Sequence, residues 1–436
     1  MRIASALGWL AGLSVAACVS LGAAAAPKFT VLYGFCAKDA DCTDGIRPMG
    51  ALTRDASGYL YGAAQVGGAR NNEKCQTQGC GVVFQFSPAT RSYRVLHKFC
   101  VKKKCAQGAY PEGHLLLDTA GNLYGMTLAG GRRDEGIVFK LTPGGKLTVL
   151  HEFCAKRDCA DGAAPTSLTY RGAESGAPYD GISPLYGTAG TGPQLGGVIF
   201  KLDPRGEKNW KYKILYAFCG GFGTICTGGS EPYDLTFDPA GKLIGTTSTG
   251  TGIAGAGTIF RFDGNTVETL HNFCALVACA DGKRPGAFVT DGAGNLYGST
   301  AEGGAGDSGV IYRFSPDGKY KTLHDFCALG DESCRTGTYA TGTMALDAQG
   351  NLFGTAGYGP QVFGTIFRLT PGGHYQVVHG FCAKEPTDPC REGANPDSLI
   401  ADGQGHLFGV AHSEGPGHYG QGDGGVIFEF DPRTAK

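Results

Sequence analysis

The chain has 436 residues, with 38 Lys and Arg against 39 Asp and Glu for a formal net charge of −1. That balance lacks the basic face nucleic acid demands, so no nucleic-acid partner is expected. Its 74 glycines and 21 prolines, beside 42% hydrophobic and 10% aromatic residues, describe a folded chain built from many turns.

Residues 1–26 read MRIASALGWLAGLSVAACVSLGAAAA: a cationic start, an apolar stretch, then alanines. This is the layout of a secretory signal, with cleavage after Ala25 and residues 1–25 removed. Val15-Ala16-Ala17-Cys18 also fits a bacterial lipobox, which would make Cys18 a lipidated N-terminus, and both readings stay open. No segment approaches the ~18 apolar residues of a spanning helix. The mature chain is therefore expected to be exported, periplasmic or extracellular, without a transmembrane helix.

Beyond the signal, one segment ends in Phe-Cys seven times: VLYGFC at 31–36, VLHKFC at 95–100, VLHEFC at 149–154, ILYAFC at 214–219, TLHNFC at 269–274, TLHDFC at 322–327 and VVHGFC at 377–382. Between copies runs D-x-x-G-N-L-Y-G, as at Asp118–Gly125 and Asp291–Gly298, then G-x-I/V-F-x-L/F, as at Gly136–Leu141 and Gly364–Leu369. The second repeat thus predicts strands over His114–Leu117, Asn122–Thr127, Ile137–Thr142 and Leu147–Phe153, with no sustained helical period. Four short strands per unit of about 55 residues mark a propeller blade. The repeats overrule the roughly three domains that length alone suggests. The prediction is an all-β, seven-bladed β-propeller with four antiparallel strands per blade, one domain over 28–433.

The ends predict how the ring closes. A lone fourth-type strand, Phe29–Phe35, opens the chain, and a third-type strand, Val426–Phe430, comes last. Pairing them completes the last blade and removes an open edge. The Asp-x-x-Gly-Asn, Pro-Gly-Gly and Pro-Asp-Gly turns belong on one face. The cysteine crossovers and glycine-rich loops belong on the other, where a ligand is expected.

Cys18 aside, sixteen cysteines form eight close pairs: Cys36/Cys42, Cys75/Cys80, Cys100/Cys105, Cys154/Cys159, Cys219/Cys226, Cys274/Cys279, Cys327/Cys334 and Cys382/Cys390. An even count in tight pairs behind an export signal points to disulfides. Zinc needs four converging ligands, and pairs spread along the chain are not expected to converge. No metal or other cofactor is expected.

The motif D-x-x-G-N-L-Y-G-T-T-x-x-G-G, followed by G-x-V/I-F-x-L and D-G-x-x-P, resembles the GloVer tandem repeat of exported bacterial proteins, from about 28 to 433. The resemblance implies an exported, repeat-only protein and brings no catalytic residues.

His97, His151, His271, His324 and His379 share one repeat position with Tyr33 and Tyr216, which marks a structural role. Function belongs where repeats differ. Four residues before the closing Asp of the inner strands stand Ala51, His114, Asp234, Ala287, Thr343 and Ser398, with Ser167 as the equivalent in the irregular third repeat, and His114 and Asp234 alone among them ionise. After the second strand's L-Y-G-T-T, His412 stands out, and its loop adds Glu414, His418 and Asp423. His114, Asp234 and His412 are the candidate acid/base set. Lys102, Lys103, Lys104, Arg132, Arg133, Lys156 and Arg157 offer a basic loop surface for an anionic glycan. Tyr233, Tyr358 and Tyr419 are candidate binding aromatics. No G-x-S-x-G, H-E-x-x-H or Walker sequence occurs. The reading is a monomeric binding scaffold for a glycan or a cell-surface or periplasmic protein on the stapled loop face. The alternative is a polysaccharide lyase or hydrolase with its site in the central funnel.

Overall fold

The computed structural model describes residues 28–434 apart from 38–40, 71–74, 76–77, 102, 193–195, 207–208, 219–227, 251–254, 329–333, 335–336, 341, 358–362, 384–389 and 417–423; of Lys103 the backbone alone is described. Its strands form seven four-stranded antiparallel sheets. Blade 1 is β2 (Ile46–Arg54), β3 (Leu60–Val66), β4 (Val82–Ser87) and β5 (Ser92–Lys98). Blade 2 is β6 (Ala109–Leu117), β7 (Leu123–Ala129), β8 (Ile137–Leu141) and β9 (Leu147–Glu152). Blade 3 is β10 (Ala163–Tyr170), β11 (Leu185–Thr191), β12 (Val198–Pro204) and β13 (Trp210–Ala217). Blade 4 is β14 (Ser230–Phe237), β15 (Leu243–Thr249), β16 (Thr258–Phe262) and β17 (Val267–Asn272). Blade 5 is β18 (Lys283–Thr290), β19 (Leu296–Glu302), β20 (Val310–Phe314) and β21 (Tyr320–Asp325). Blade 6 is β22 (Ala345–Leu346), β23 (Leu352–Ala356), β24 (Thr365–Leu369) and β25 (Tyr375–Gly380). Blade 7 takes β26 (Ala394–Ala401), β27 (Leu407–Ser413) and β28 (Val426–Asp431), and its outer strand is β1 (Lys28–Gly34) from the start of the chain. Phe29 lies opposite Phe430 and Gly34 opposite Val426, so the predicted clasp closes the ring.

The repeated glycines have a packing cause. Gly62, Gly125, Gly187, Gly245, Gly354 and Gly409 on the second strands pair with Phe84, Phe139, Phe200, Phe260, Phe367 and Phe428 on the third. A Cβ at any of these glycines would overlap the end of that phenyl ring. Each phenylalanine is fully buried, which stabilises the blade by roughly 2–3 kcal/mol. The core runs between blades as well as within them: Leu116, Tyr124 and Val138 of blade 2 pack with Leu168, Leu185 and Phe200 of blade 3.

A second repeated contact joins successive blades. Gly81, Gly197, Gly257, Gly364 and Gly425, just before the third strands, abut Pro111, Pro232, Pro285, Pro396 and Pro48 on the next inner strand. The residue before each proline donates its N–H to the preceding blade, as in Arg284 to Ala256 (2.7 Å) and Asn395 to Phe363 (2.8 Å). Those residues hold left-handed φ values, +58° at Arg284 and +54° at Asn395. Such a backbone persists when its surroundings over-determine it, and the blade joint does so.

The inner strands begin earlier than the sequence predicts: blade 2 starts at Ala109, not His114. Pro-Glu-Gly reads locally as a turn. On the innermost edge, however, a proline loses no ladder hydrogen bond, so the strand runs through it. The short turns behave as expected. Asp118 Oδ1 accepts the amides of Ala120 (2.9 Å) and Asn122 (2.8 Å), and Gly121 has φ +80°.

Candidate functional site

Each inner strand starts, and each second strand ends, on the face that carries the cysteine loops. Residues near those ends therefore surround one mouth of the central channel. Three of them directly follow an inner-strand proline: Glu112 on β6, Tyr233 on β14 and Asp397 on β26. They come from blades 2, 4 and 7, yet the charges of Glu112, Asp397 and Asp234 all act on the Tyr233 phenol.

Hydrogen bonds lock the two carboxylates across blade boundaries. Gln65 on β3 donates Nε2–H to Glu112 Oε1 at 2.5 Å. The Gly50 amide on β2 donates to Asp397 Oδ2 at 2.6 Å. Burial pushes Glu112 up to about 7; the Gln65 bond opposes this, and the negative charge of Asp397 reinforces it. Asp397 is raised by burial, against the Gly50 amide and the nearby His412. Burial also lowers His412, with Asp397 opposing and Arg47 assisting. Tyr233 is 41% exposed to channel water. Its raised pKa therefore reflects enclosure by the channel walls and three negative neighbours more than dry packing. At neutral pH the mouth offers a half-protonated carboxyl, a second carboxyl, a protonated phenol and a neutral imidazole. Such a set exchanges hydrogen bonds with hydroxyl groups and moves protons near pH 7.

His114, Asp234 and His412 are not joined to one another by any hydrogen bond or ion pair among the described residues. Asp234 is a tie between blades. It accepts Ser167 Oγ–H (3.1 Å) from blade 3, the Leu235 amide (2.8 Å) beside it and the Phe288 amide (3.2 Å) from blade 5. Burial raises its pKa against those donors. His114 faces the channel, where enclosure lowers its pKa. His412 lies in the electrostatic field of Asp397 and Arg47.

Reading from the closing Asp missed Glu112 and Asp397. The signal that finds them is the proline, since Pro111-Glu112, Pro232-Tyr233 and Pro396-Asp397 align from that side.

On the loops, Arg132 and Arg133 are exposed, and Arg132 Nε lies 3.1 Å from Glu152 Oε2. Arg157 pairs with Asp158 at 3.5 Å. Lys102, Tyr358, His418, Tyr419, Asp423 and the Lys103 side chain lie outside the described residues, as do residues 1–27 with Cys18.

Seven of the expected disulfides are present: Cys36–Cys42, Cys75–Cys80, Cys100–Cys105, Cys154–Cys159, Cys274–Cys279, Cys327–Cys334 and Cys382–Cys390. Cys219 and Cys226 lie outside the described residues. Seven disulfides point to an oxidising, exported environment. The expectation that pairs never converge fails at one place. Cys75, Cys80, Cys100 and Cys105 are all buried, and their sulfurs lie within 4.8 Å of one another. The fold, not sequence spacing, sets the loop carrying Cys75 and Cys80 against the crossover after β5. No helix among the described residues is long and apolar enough to cross a membrane.

The Gloeobacter/Verrucomicrobia repeat matches residues 21–183 and 175–421. No curated protein matches the chain. Similar solved structures include a gluconolactonase from Xanthomonas campestris, 13% identical over 94% of this chain and 91% of that one, with a TM-score of 0.41. Another is the aldose sugar dehydrogenase from Streptomyces coelicolor in its PQQ-bound form, 13% identical over 73% of this chain and 94% of that one, with a TM-score of 0.43.

Proposed function

This chain belongs to the Gloeobacter/Verrucomicrobia repeat family, and from that premise we propose that it is an exported binding propeller whose channel mouth takes the end of an uncharged glycan. The observation that carries this reading is that Glu112 and Asp397 are both tied to blade 1 at the channel mouth, through Gln65 and the Gly50 amide, with the exposed Tyr233 phenol within reach of their charges. Carboxyls and a phenol accept and donate hydrogen bonds to sugar hydroxyls, and an exposed tyrosine ring packs on the apolar face of a pyranose. Two enclosed acids repel an anionic sugar, so the loop arginines do not decide the ligand. Residues 1–25 serve as the export signal, or Cys18 carries a lipid; either delivers the propeller to an oxidising compartment.

The test is a glycan array on the purified oxidised protein, repeated with Tyr233→Ala and Glu112→Gln. Binding of a neutral glycan that both substitutions weaken at least about tenfold, a loss of about 1.4 kcal/mol, supports the reading. Binding indifferent to both places the ligand elsewhere.

A glycan hydrolase is the second reading, favoured by Glu112 being held at about 7. A carboxyl poised there is a general acid, and Asp397 is the second carboxylate such chemistry uses. Product formation from an array hit, lost in Glu112→Gln, selects the enzyme; binding without products selects the scaffold.

A further inference from the structure

Seven of the eight cysteine pairs begin at the Phe-Cys that ends each outer-strand segment, and the Cys75/Cys80 pair alone falls outside that register. It sits between β3 and β4, where the other six blades carry no cysteine. Blade 1 thus brings a second pair to the place where its own Phe-Cys pair, Cys100/Cys105, begins the crossover to blade 2. The backbone fixes this meeting: the Cys80 carbonyl accepts the Tyr110 amide (2.9 Å), and the Cys105 carbonyl accepts the amides of Gly108 (2.9 Å) and Gly131 (3.0 Å). All four cysteines belong to a buried apolar cluster that also holds Val83, Phe99 and Ala109.

The spacing is C-x4-C, nineteen residues, C-x4-C, which lies within the range used by four-thiolate zinc sites. With Zn–S bonds of about 2.3 Å, tetrahedral sulfurs stand about 3.8 Å apart, inside the 4.8 Å envelope observed here. A tetrathiolate zinc centre carries two negative charges and needs compensation. The sequence places Lys102, Lys103 and Lys104 directly before Cys105 and Lys74 directly before Cys75, the densest run of lysines at any cysteine pair in the chain.

We propose that Cys75, Cys80, Cys100 and Cys105 form a site for one soft divalent cation of the zinc class while they are thiols, and that closing the two disulfides expels it. Binding is Zn2+ plus four thiols giving the tetrathiolate and four protons. Expulsion is a thiol–disulfide exchange with a small-molecule disulfide such as oxidised glutathione. Two of these accept four electrons and become four thiols, taking up four protons, as Cys75–Cys80 and Cys100–Cys105 form and Zn2+ leaves. The metal holds two neighbouring pairs together before oxidation, at the one place among the described residues where four cysteines lie close enough to mispair. Among the described residues the other five pairs join no such group and have two thiols each, too few for such a site.

The test is oxidative refolding of the full reduced chain in a glutathione redox buffer, with and without Zn2+, and the order of disulfide closure read by mass spectrometry. Zinc is expected to delay Cys75–Cys80 and Cys100–Cys105 at least about tenfold, since the metal consumes the thiolates that oxidation requires, and to leave Cys274–Cys279 unchanged. In Cys75→Ser/Cys80→Ser the zinc effect on Cys100–Cys105 should vanish. A second readout is Co2+ added to the reduced chain under nitrogen. One equivalent should give the thiolate charge-transfer bands and red d–d bands of a four-sulfur tetrahedral site, lost in the same double variant but kept in Cys274→Ser/Cys279→Ser. Equal closure rates with and without zinc, a delay shared by all pairs, or cobalt bands indifferent to Cys75 and Cys80 would overturn the proposal.

Discussion

Phe29 lies flat on the imidazole of His379, ring centroids 4.1 Å apart and planes 4° from parallel. The same stack recurs around the ring: Tyr212 on His151 (3.7 Å), Tyr320 on His271 (4.0 Å), Tyr375 on His324 (3.6 Å) and Tyr93 on Tyr33 (4.2 Å). Each stacking ring stands four residues before the histidine or tyrosine of its own strand and covers that of the preceding blade. Tyr212 and Tyr320 also donate to the backbone carbonyls of Asp161 (2.5 Å) and Asp281 (2.6 Å) in the neighbouring cysteine loops. Phe29 is therefore the joint that links the first strand of the chain to blade 6.

Phe29→Ala removes that ring from a half-buried position and weakens the clasp. We expect a loss of about 2–3 kcal/mol, below the 3–5 of a fully buried phenylalanine. Urea unfolding measures it. An unchanged midpoint would mean that ring closure does not depend on this stack.

Gly257→Ala tests the joint between blades 4 and 5. Its φ is +92°, and a Cβ there would overlap Pro285 and the Thr247 carbonyl. A destabilisation above about 2 kcal/mol is expected. Gly292→Ala is the control, because nothing lies within 4 Å of its Cβ, and it should stay within about 0.5 kcal/mol of the parent.

Acid should weaken the fold through the stacked histidines. Burial lowers His151 to about 4 despite the opposing charge of Asp161, and lowers His324 to about 4. The unfolded chain protonates these groups near pH 6.5 while the folded chain keeps them neutral. Their stabilisation is thus complete above pH 6.5 and is lost as pH falls toward 4. Each contributes at most about 3 kcal/mol. Denaturant midpoints between pH 7 and 4.5 should fall, and His324→Gln should flatten the slope.

Glu112 works in the opposite sense. Its folded pKa of about 7 lies above the ordinary 4.5, so the folded chain holds the proton more tightly. That contribution is present at low pH and is lost as pH rises from about 4.5 through 7. Glu112→Gln keeps an acceptor for Gln65 and removes the buried charge. At pH 8 it should stabilise the protein by about 1–3 kcal/mol, and near pH 4.5 by almost nothing. Thermal melting at the two pH values reads the difference. Equal effects at both would show that Glu112 is not held protonated near neutrality.

The blade count, the four strands and the clasp were legible because each rests on local chemistry. Strand alternation, Asp-x-x-Gly turns and the Phe-Cys ends repeat in one dimension, and a lone outer strand at one end with a missing one at the other leaves a single way to close the ring. The channel mouth was not legible from the closing Asp, because the inner strands differ in length. Blades 1 and 2 carry an extra glycine, Gly50 and Gly113, between the post-proline residue and the next core position. The register shift between Glu112 and Leu116 absorbs it. A one-residue offset turns a side chain to the other face, so counting from the far end set Asp234, a half-buried tie between blades, in line with His114 and passed over Glu112, while Asp397 stands one residue before the aligned Ser398.

Sequence alone determined how many sheets form, how each turn is built and which cysteines are neighbours along the chain. Tertiary structure decided which residues distant along the chain meet: Glu112 with Gln65, Asp397 with Gly50, Phe29 with His379, and Cys75/Cys80 with Cys100/Cys105. The physical reason is that period and turn chemistry act over a few bonds. Radial contacts depend on register and on ring closure, which exist only once all seven sheets have packed.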